Sequence, residues 1–274
     1  MLKKCIICDK TDCLIFNKKL NILSCNECGV LFAEKQNNQK IHFFKKRDNP
    51  TLLAKMKNKI SHELFYNLID DTYIHYLKSK TKMDFKNALD VGTRFGGFVN
   101  KLNKFGVDAY GIEADDDLLK FAVTKKVEWG YFDENYNTDM KYELICLTQM
   151  LCYLPDSFSI LNHIKNNMLT DNGIIFITTL NPQASNIHNE KSPLPNNAMN
   201  VILSKQNFES LKESVGLEVI DYTTYRTPLY ADLYTAKNPI IKKLKILQYV
   251  LKFKKPYVRD PDGEHAFILL KKIS

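Results

Sequence analysis

The sequence has little in the way of long apolar runs. Among its 274 residues, no stretch approaches the ~20 consecutive apolar residues of a helical span. Met1 to Lys10 brings charge and two cysteines where an export signal needs an apolar core. Both absences lead us to expect a cytoplasmic protein, in which cysteines stay mostly reduced. The phosphate loop ending Gly-Lys-Ser/Thr is missing. So is the dehydrogenase fingerprint Gly-x-Gly-x-x-Gly, because no glycine sits two residues after Gly92. There is no internal repeat and no low-complexity tract. Acidic residues are in deficit, 31 Asp and Glu against 39 Lys and Arg, for a formal net charge of +8. That balance favours anionic partners: RNA, nucleotide-sugars, phosphorylated glycans or an anionic membrane surface. Lys, Asn and Ile are abundant everywhere, however, and an A/T-rich codon bias would produce the same charge without any ligand.

What is present divides the chain into three parts. Residues 1–34 form a small module with Cys5-x-x-Cys8, a short apolar run (Cys13, Leu14, Ile15, Phe16), and Cys25-x-x-Cys28 followed by Gly29. Residues 35–84 read as a linker, a polar and basic arm to Pro50 and then helix. Leu52, Met56, Ile60, Leu64 and Leu68 recur there at helical spacing. Residues 85–274 alternate strand and helix. Strands are expected at 88–91, 109–112, 127–132, 142–147, 173–180, 217–225 and 266–271, with helices at 95–105, 115–125, 157–168 and 204–214. Such alternation predicts an α/β fold with a parallel, Rossmann-like sheet of seven strands.

The segment Ala88-Leu-Asp-Val-Gly-Thr-Arg-Phe-Gly-Gly-Phe98 puts a strand directly before a glycine-bearing turn and a helix. Glycines there let the backbone approach a ligand and leave helix N–H groups free to bind it. The second strand ends in Glu113, twenty-one residues after Gly92, where a carboxylate can accept from ribose hydroxyls.

With these residues the chain resembles the class I S-adenosylmethionine-dependent methyltransferases, whose first motif reads roughly Asp-Val-Gly-x-Gly-x-Gly. Asp90, Gly92 and Gly96 match that motif, and Glu113 matches the acid of the second strand. The resemblance implies that Thr93 and Arg94 lie in the cofactor turn. It also implies that Phe132 and Asp133, with Tyr131, follow the third strand beside the adenine. Thr148 and Gln149 should face the site after the fourth strand. Leu154-Pro155-Asp156 and Asn172-Gly173 resemble the family's later turns. Two departures stand out. Arg94 replaces the middle glycine, so it either obstructs the cofactor or pairs with its carboxylate through a planar guanidinium. Cys152-Tyr153 replaces a Glu-His pair.

Cys5, Cys8, Cys25 and Cys28 have the spacing of a four-thiolate zinc site, two knuckles separated by sixteen residues. Four sulfurs complete a tetrahedron with no open position, so the zinc is expected to be structural; reduced or redox-active cysteines are the alternative. Cys13, Cys146 and Cys152 read as core or spare thiols. A zinc module ahead of this domain is similar to methyltransferases of bacterial sugar and polysaccharide pathways. It is also similar to certain ribosomal RNA methyltransferases. The Tyr-x-Glu-His stretch of sugar C-methyltransferases is missing between Leu180 and Ser204, which offers only His188. The resemblance therefore implies O- or N-methylation of a sugar, nucleotide-sugar or other small polar acceptor. RNA methylation is the alternative, and a catalytically inactive binding or scaffolding protein a second.

Substrate recognition is expected from two connections at the carboxyl ends of the strands, Asn181 to Leu203 and an insertion at about 226–264. The insertion carries an amphipathic run with Ile240, Leu244, Leu247 and Leu251 on one face and lysines elsewhere. The simpler reading packs that apolar face on the domain, and peripheral membrane contact is the less favoured one. No catalytic side chain is identifiable. Tyr153, His163 and His188 are candidates for a base by position only.

Overall fold

The four-cysteine segment has too few apolar residues for a core of its own, and the structure shows where it finds one. A computed structural model of the protein describes residues 3–35, 59–154, 156–187, 199–229, 232, 238–251 and 254–273. Most of the 35–50 arm, Leu52, Met56, Pro155 and His188 lie outside these residues. Strands β1 (Cys13–Asn17), β2 (Ile22–Cys25) and β3 (Leu31–Ala33) pair antiparallel in sequence order. Helix α1 (Lys59–Lys80) then leads to the alternating part. That part runs through β4 (Asn87–Val91), α2 (Gly97–Lys104), β5 (Asp108–Glu113), α3 (Asp116–Leu119), β6 (Val127–Trp129) and β7 (Tyr142–Thr148). It continues with α4 (Ser157–His163), β8 (Leu169–Leu180), β9 (Val201–Ile202), α5 (Lys205–Ser214), β10 (Leu217–Arg226), α6 (Pro239–Val250), β11 (Val258–Arg259) and β12 (His265–Lys272).

The main sheet has the order β11-β10-β12-β8-β7-β4-β5-β6. Strands β4 to β8 pair in parallel, and β12 lies antiparallel between β8 and β10. This is the expected α/β sheet with one correction: it has eight strands rather than seven. The additional one, β11, comes from the insertion, whose end folds back so that Arg259 pairs Tyr225 and Val258 pairs Arg226. Local bounds also shift: β6 stops at Trp129 and α4 at His163, and two further expectations change for a visible reason. The helix expected at 115–125 is a single turn, because the Val123 N–H donates to the Phe95 carbonyl at 2.9 Å and draws the chain back. The strand expected from Gly173 begins at Leu169. Leu169 pairs Tyr142 and Ile174 pairs Leu144, so Thr170 to Gly173 bulge out between them.

Each face of the sheet is covered. On one face α1 and α2 bury Ile69, Tyr73, Leu77, Phe98 and Leu102 against Phe176 and Phe267. Tyr73 sits edge-on to Phe98, Phe176 and Phe267 at 5.4–5.7 Å, an arrangement aromatic pairs favour. On the other face α4 and α5 bury Ile160, Leu161, Phe208 and Leu211, and the cysteine segment adds Leu23, Val30 and Phe32 to the same core. Strand β9 extends the small sheet to four strands, with Leu31 paired to Ile202 and Phe32 to Val201. The module is thus knitted into the connection that follows β8.

Candidate functional site

The buried strand β4 delivers the chain into a turn with three left-handed residues in five, Gly92 (φ 72°), Arg94 (φ 58°) and Gly96 (φ 72°). Helix α2 starts there with no side-chain cap, so its first N–H groups keep their capacity for a ligand. The turn is tied to β5 by backbone: the N–H groups of Gly92 and Thr93 donate to the Ile112 carbonyl at 2.8 and 3.1 Å. Glu113 completes the tie. Its Oε2 accepts from the Arg94 N–H at 2.8 Å and its Oε1 from the Asp115 N–H at 2.9 Å. Glycine is favoured at 92 by its φ, and a Cβ there would also displace the Met150 side chain, whose Sδ would lie at 2.2 Å.

The turn carries unusual electrostatics. The Arg94 guanidinium lies 4.1 Å over the Tyr66 ring, and its Nη2 is 3.6 Å from Asp70 Oδ1. Asp70, Asp90 and Glu113 are 1%, 1% and 5% exposed. Burial pushes the Asp70 carboxyl up to about 6, with Arg94 opposing, and the Asp90 carboxyl up to about 7. Burial also raises Glu113. Asp70 Oδ1, Asp90 Oδ1 and Thr93 Oγ1 are buried without a hydrogen-bond partner among the described residues. Three buried carboxylates therefore share this corner with one guanidinium.

Beyond β7 lies a second polar group. Gln149 takes a left-handed backbone (φ 58°), its N–H donating to the Thr178 carbonyl at 2.8 Å. Its Nε2 is 3.1 Å from His265 Nδ1 and 3.3 Å from Thr178 Oγ1. Burial holds His265 down at about 4, so the ring is neutral at pH 7. Next to it, Glu264 accepts from the Thr227 N–H at 2.8 Å, the Thr227 hydroxyl and Asn186 Nδ2. Gln149 directly follows β7, Thr178 lies near the end of β8 and His265 begins β12 opposite Leu180, at the carboxyl edge of the parallel strands.

The four cysteines converge. Cys5 and Cys28 sulfurs are 3.7 Å apart, those of Cys8 and Cys25 3.6 Å, and all four lie within 4.8 Å of one another. A tetrahedron with zinc–sulfur bonds of about 2.3 Å has edges of about 3.8 Å, so the cage fits that ion. The Ile7 N–H donates to Cys5 Sγ at 3.4 Å. The Ser204 hydroxyl, which caps α5, donates to the Cys28 carbonyl at 2.7 Å.

The sequence matches the family described as a methyltransferase domain over residues 52–222, more than half of the chain. The chain belongs to this family. It is a class I, S-adenosylmethionine-dependent methyltransferase. No curated protein matches the sequence. Among solved structures, the plantazolicin methyltransferase BpumL, in complex with a monoazolic desmethylPZN analog and SAH, is 17% identical, with a TM-score of 0.52 over 85% of this chain and 93% of that one. An S-adenosylmethionine-dependent methyltransferase from Clostridium acetobutylicum ATCC 824 is 12% identical, with a TM-score of 0.51 over 82% and 99%. One from Archaeoglobus fulgidus is 16% identical, at 0.50 over 75% and 93%. At such identities the likeness is one of fold.

Within this methyltransferase, Asp90, Gly92, Thr93, Arg94, Gly96 and Glu113 come together at one corner. Gln149 reaches His265 and Thr178, while its neighbour Met150 covers Gly92. Phe132 is buried in the same core as Val91 and Ile112, 5.2 Å from Tyr136. Asp133 closes its own turn, accepting from the Asn135 N–H at 2.9 Å. His163 lies apart, its Nε2 2.7 Å from the Tyr136 carbonyl oxygen and its Nδ1 3.0 Å from Asn167 Nδ2. Tyr153 is half-buried, and its carbonyl accepts from Asn200 Nδ2 at 2.9 Å. Sequence reasoning missed Asp70, Tyr66, Met150, His265 and Trp129. The chain's single Trp was a usable signal: Trp129 pairs across from Glu113 and remains half exposed. Nothing in the sequence marks Asp70, which stands on a helix beside an exposed acid.

Proposed function

We propose that the methyltransferase holds S-adenosylmethionine at the β4–α2 turn and methylates an O or N atom of a sugar, nucleotide-sugar or other small polar acceptor in polysaccharide biosynthesis. The excess of buried negative charge carries the donor reading. Asp70, Asp90 and Glu113 outnumber Arg94, and such burial is unfavourable until a cation arrives. The donor brings two positive groups, a sulfonium and an ammonium, with one carboxylate for Arg94. Gly92, Thr93 and Gly96 provide the close backbone approach, and Glu113 faces the ribose. Phe132 and Asp133 flank the base, and Gln149 closes the methyl end once Met150 moves off Gly92. When bound, the donor supplies a methyl group on a charged sulfur, and in-line placement of the acceptor is what the protein adds.

The acceptor reading draws on the family resemblance. It is supported by the polar edge formed by Gln149, Thr178, Asn181 and neutral His265, which suits hydroxyl or amine groups. The cysteine cage is proposed to hold one structural zinc, and its reduced thiolates suit a cytoplasmic setting. RNA docking by the module is the weaker reading, because three of the four cysteines are buried and β3 already pairs with β9.

Isothermal titration across pH tests the donor site. The cation is held best by ionised Asp70 and Asp90, so affinity for S-adenosylmethionine should rise as pH climbs through about 6 to 7. S-adenosylhomocysteine, lacking the sulfonium, should show a shallower rise. A flat profile for both, or no binding, overturns the reading. Mass spectrometry of acceptor pools for an added methyl group then identifies the acceptor, and methylation confined to RNA would overturn the glycan reading.

A further inference from the structure

Helix α6 lies in the insertion that leaves β10 at Arg226, and its amphipathic pattern is satisfied the wrong way round for a packed surface helix. Ile246 and Tyr249 turn inward and are buried. The Tyr249 hydroxyl donates to Asp232 Oδ2 at 2.6 Å, and Lys245 and Lys254 pair with the same carboxylate at 3.1 and 3.0 Å. The helix is thus anchored, and it packs against α1. The residues expected to pack on the domain instead face outward. Ile240, Ile241, Leu244, Leu247 and Leu251 are between 47% and 69% exposed. Scattered exposed aliphatics are ordinary, whereas four on one short helix and a fifth at its C-cap form a patch that calls for a partner.

Charge selects the partner. From Asn238 to Arg259 the chain holds seven lysines and arginines and no Asp or Glu. A second copy bound through this face would set one basic segment against another. Interfaces between proteins also exclude lysine from their cores. An aliphatic stripe in a basic segment is the pattern of a helix lying in the headgroup layer of an anionic bilayer. Among the described residues no helix is long and apolar enough to cross a membrane, so contact would be peripheral. We propose that α6 seats the methyltransferase on an anionic lipid surface, with Ile240, Leu244, Leu247 and Leu251 entering the interface. This does not depend on the acceptor assigned above.

The test is co-sedimentation of the full chain with phosphatidylcholine vesicles, with and without phosphatidylglycerol at about one part in three. The protein should partition onto the anionic vesicles, less so as salt is raised, and weakly onto neutral ones. Leu244→Asp with Leu247→Asp should lower that partition by about tenfold or more, with melting temperature and S-adenosylhomocysteine affinity unchanged. A second variant, Leu247→Trp in a Trp129→Phe background, should shift its emission to the blue on anionic vesicles only. No partition onto anionic vesicles overturns the proposal, as does equal partition of wild type and the Asp variant. Dimerisation abolished by the Asp variant, without vesicle binding, would assign the face to a second copy. A large fall in melting temperature would assign it to packing within the chain.

Discussion

Two additions flank the same methyltransferase sheet, and they treat their apolar residues in opposite ways. The N-terminal module sends Leu23, Val30 and Phe32 into the core shared with α4 and α5. It is locked there by the β3–β9 pairing and by the Ser204 hydroxyl on the Cys28 carbonyl. Among the described residues of α6 and its C-cap, the insertion buries Ile246 and Tyr249, ties Tyr249 to Asp232, and leaves five aliphatics outside. The module has become part of the scaffold. The insertion adds β11 to the sheet, but its helix α6 is an attachment with a free surface. A small segment that cannot form its own core borrows one, whereas a helix that needs only part of its apolar face for anchorage can offer the rest to a partner.

The largest expected effect breaks the module. Chelating the proposed zinc, or replacing Cys25 by Ser, should cost about 5 kcal/mol or more and lower the melting temperature by about 10 °C or more. Hydrogen exchange should rise at Val201–Ser204 along with the cysteine loops, because β9 and β3 share one ladder. Exchange confined to the cysteine loops would show that the module is an appendage after all. The next effect probes the insertion from inside: Ile246→Ala should destabilise by about 2–4 kcal/mol in thermal or denaturant unfolding, since that side chain is 5% exposed.

The amino-acid sequence disclosed the two regions unevenly, for physical reasons. Cysteine spacing is a strong local signal, so the convergence of the four cysteines could be read directly, as could the turn from Asp90 to Gly96 with its acid at Glu113. Strand β9 could not be read: it is two residues long and pairs with a partner some 170 positions away in the chain. For α6, periodicity announced an apolar stripe at Ile240, Leu244, Leu247 and Leu251 but not what covers it, and the structure turns that stripe outward. At the β4–α2 turn, Arg94 breaks the glycine pattern and yet takes the glycine conformation, φ 58°. That strain, on the order of 1–2 kcal/mol, is tolerated where the guanidinium finds Tyr66 and Asp70. Neither partner belongs to the motif.

A smaller effect separates the module's anchors from its metal. Ser204→Ala removes both the cap of α5 and the bond to the Cys28 carbonyl, and should cost about 1–2 kcal/mol in denaturant unfolding. Its metal content should be unchanged, since the four sulfurs keep their places. A loss of metal in that variant would mean that the cage depends on the domain for its geometry as well as for its cover.

The smallest expected effect is the most discriminating for the insertion. Leu244→Ala, two residues from Ile246 on the same helix, should change stability by no more than about 0.5 kcal/mol, because 57% of Leu244 is already exposed to water. Alanine also favours the helix slightly over leucine, which works against any loss. A cost near that of Ile246→Ala would mean that the outer face is buried in the folded chain, and the contrast between the two regions would disappear. A silent Leu244→Ala beside a costly Ile246→Ala would instead confirm that one helix divides its apolar residues between the fold and a surface beyond it.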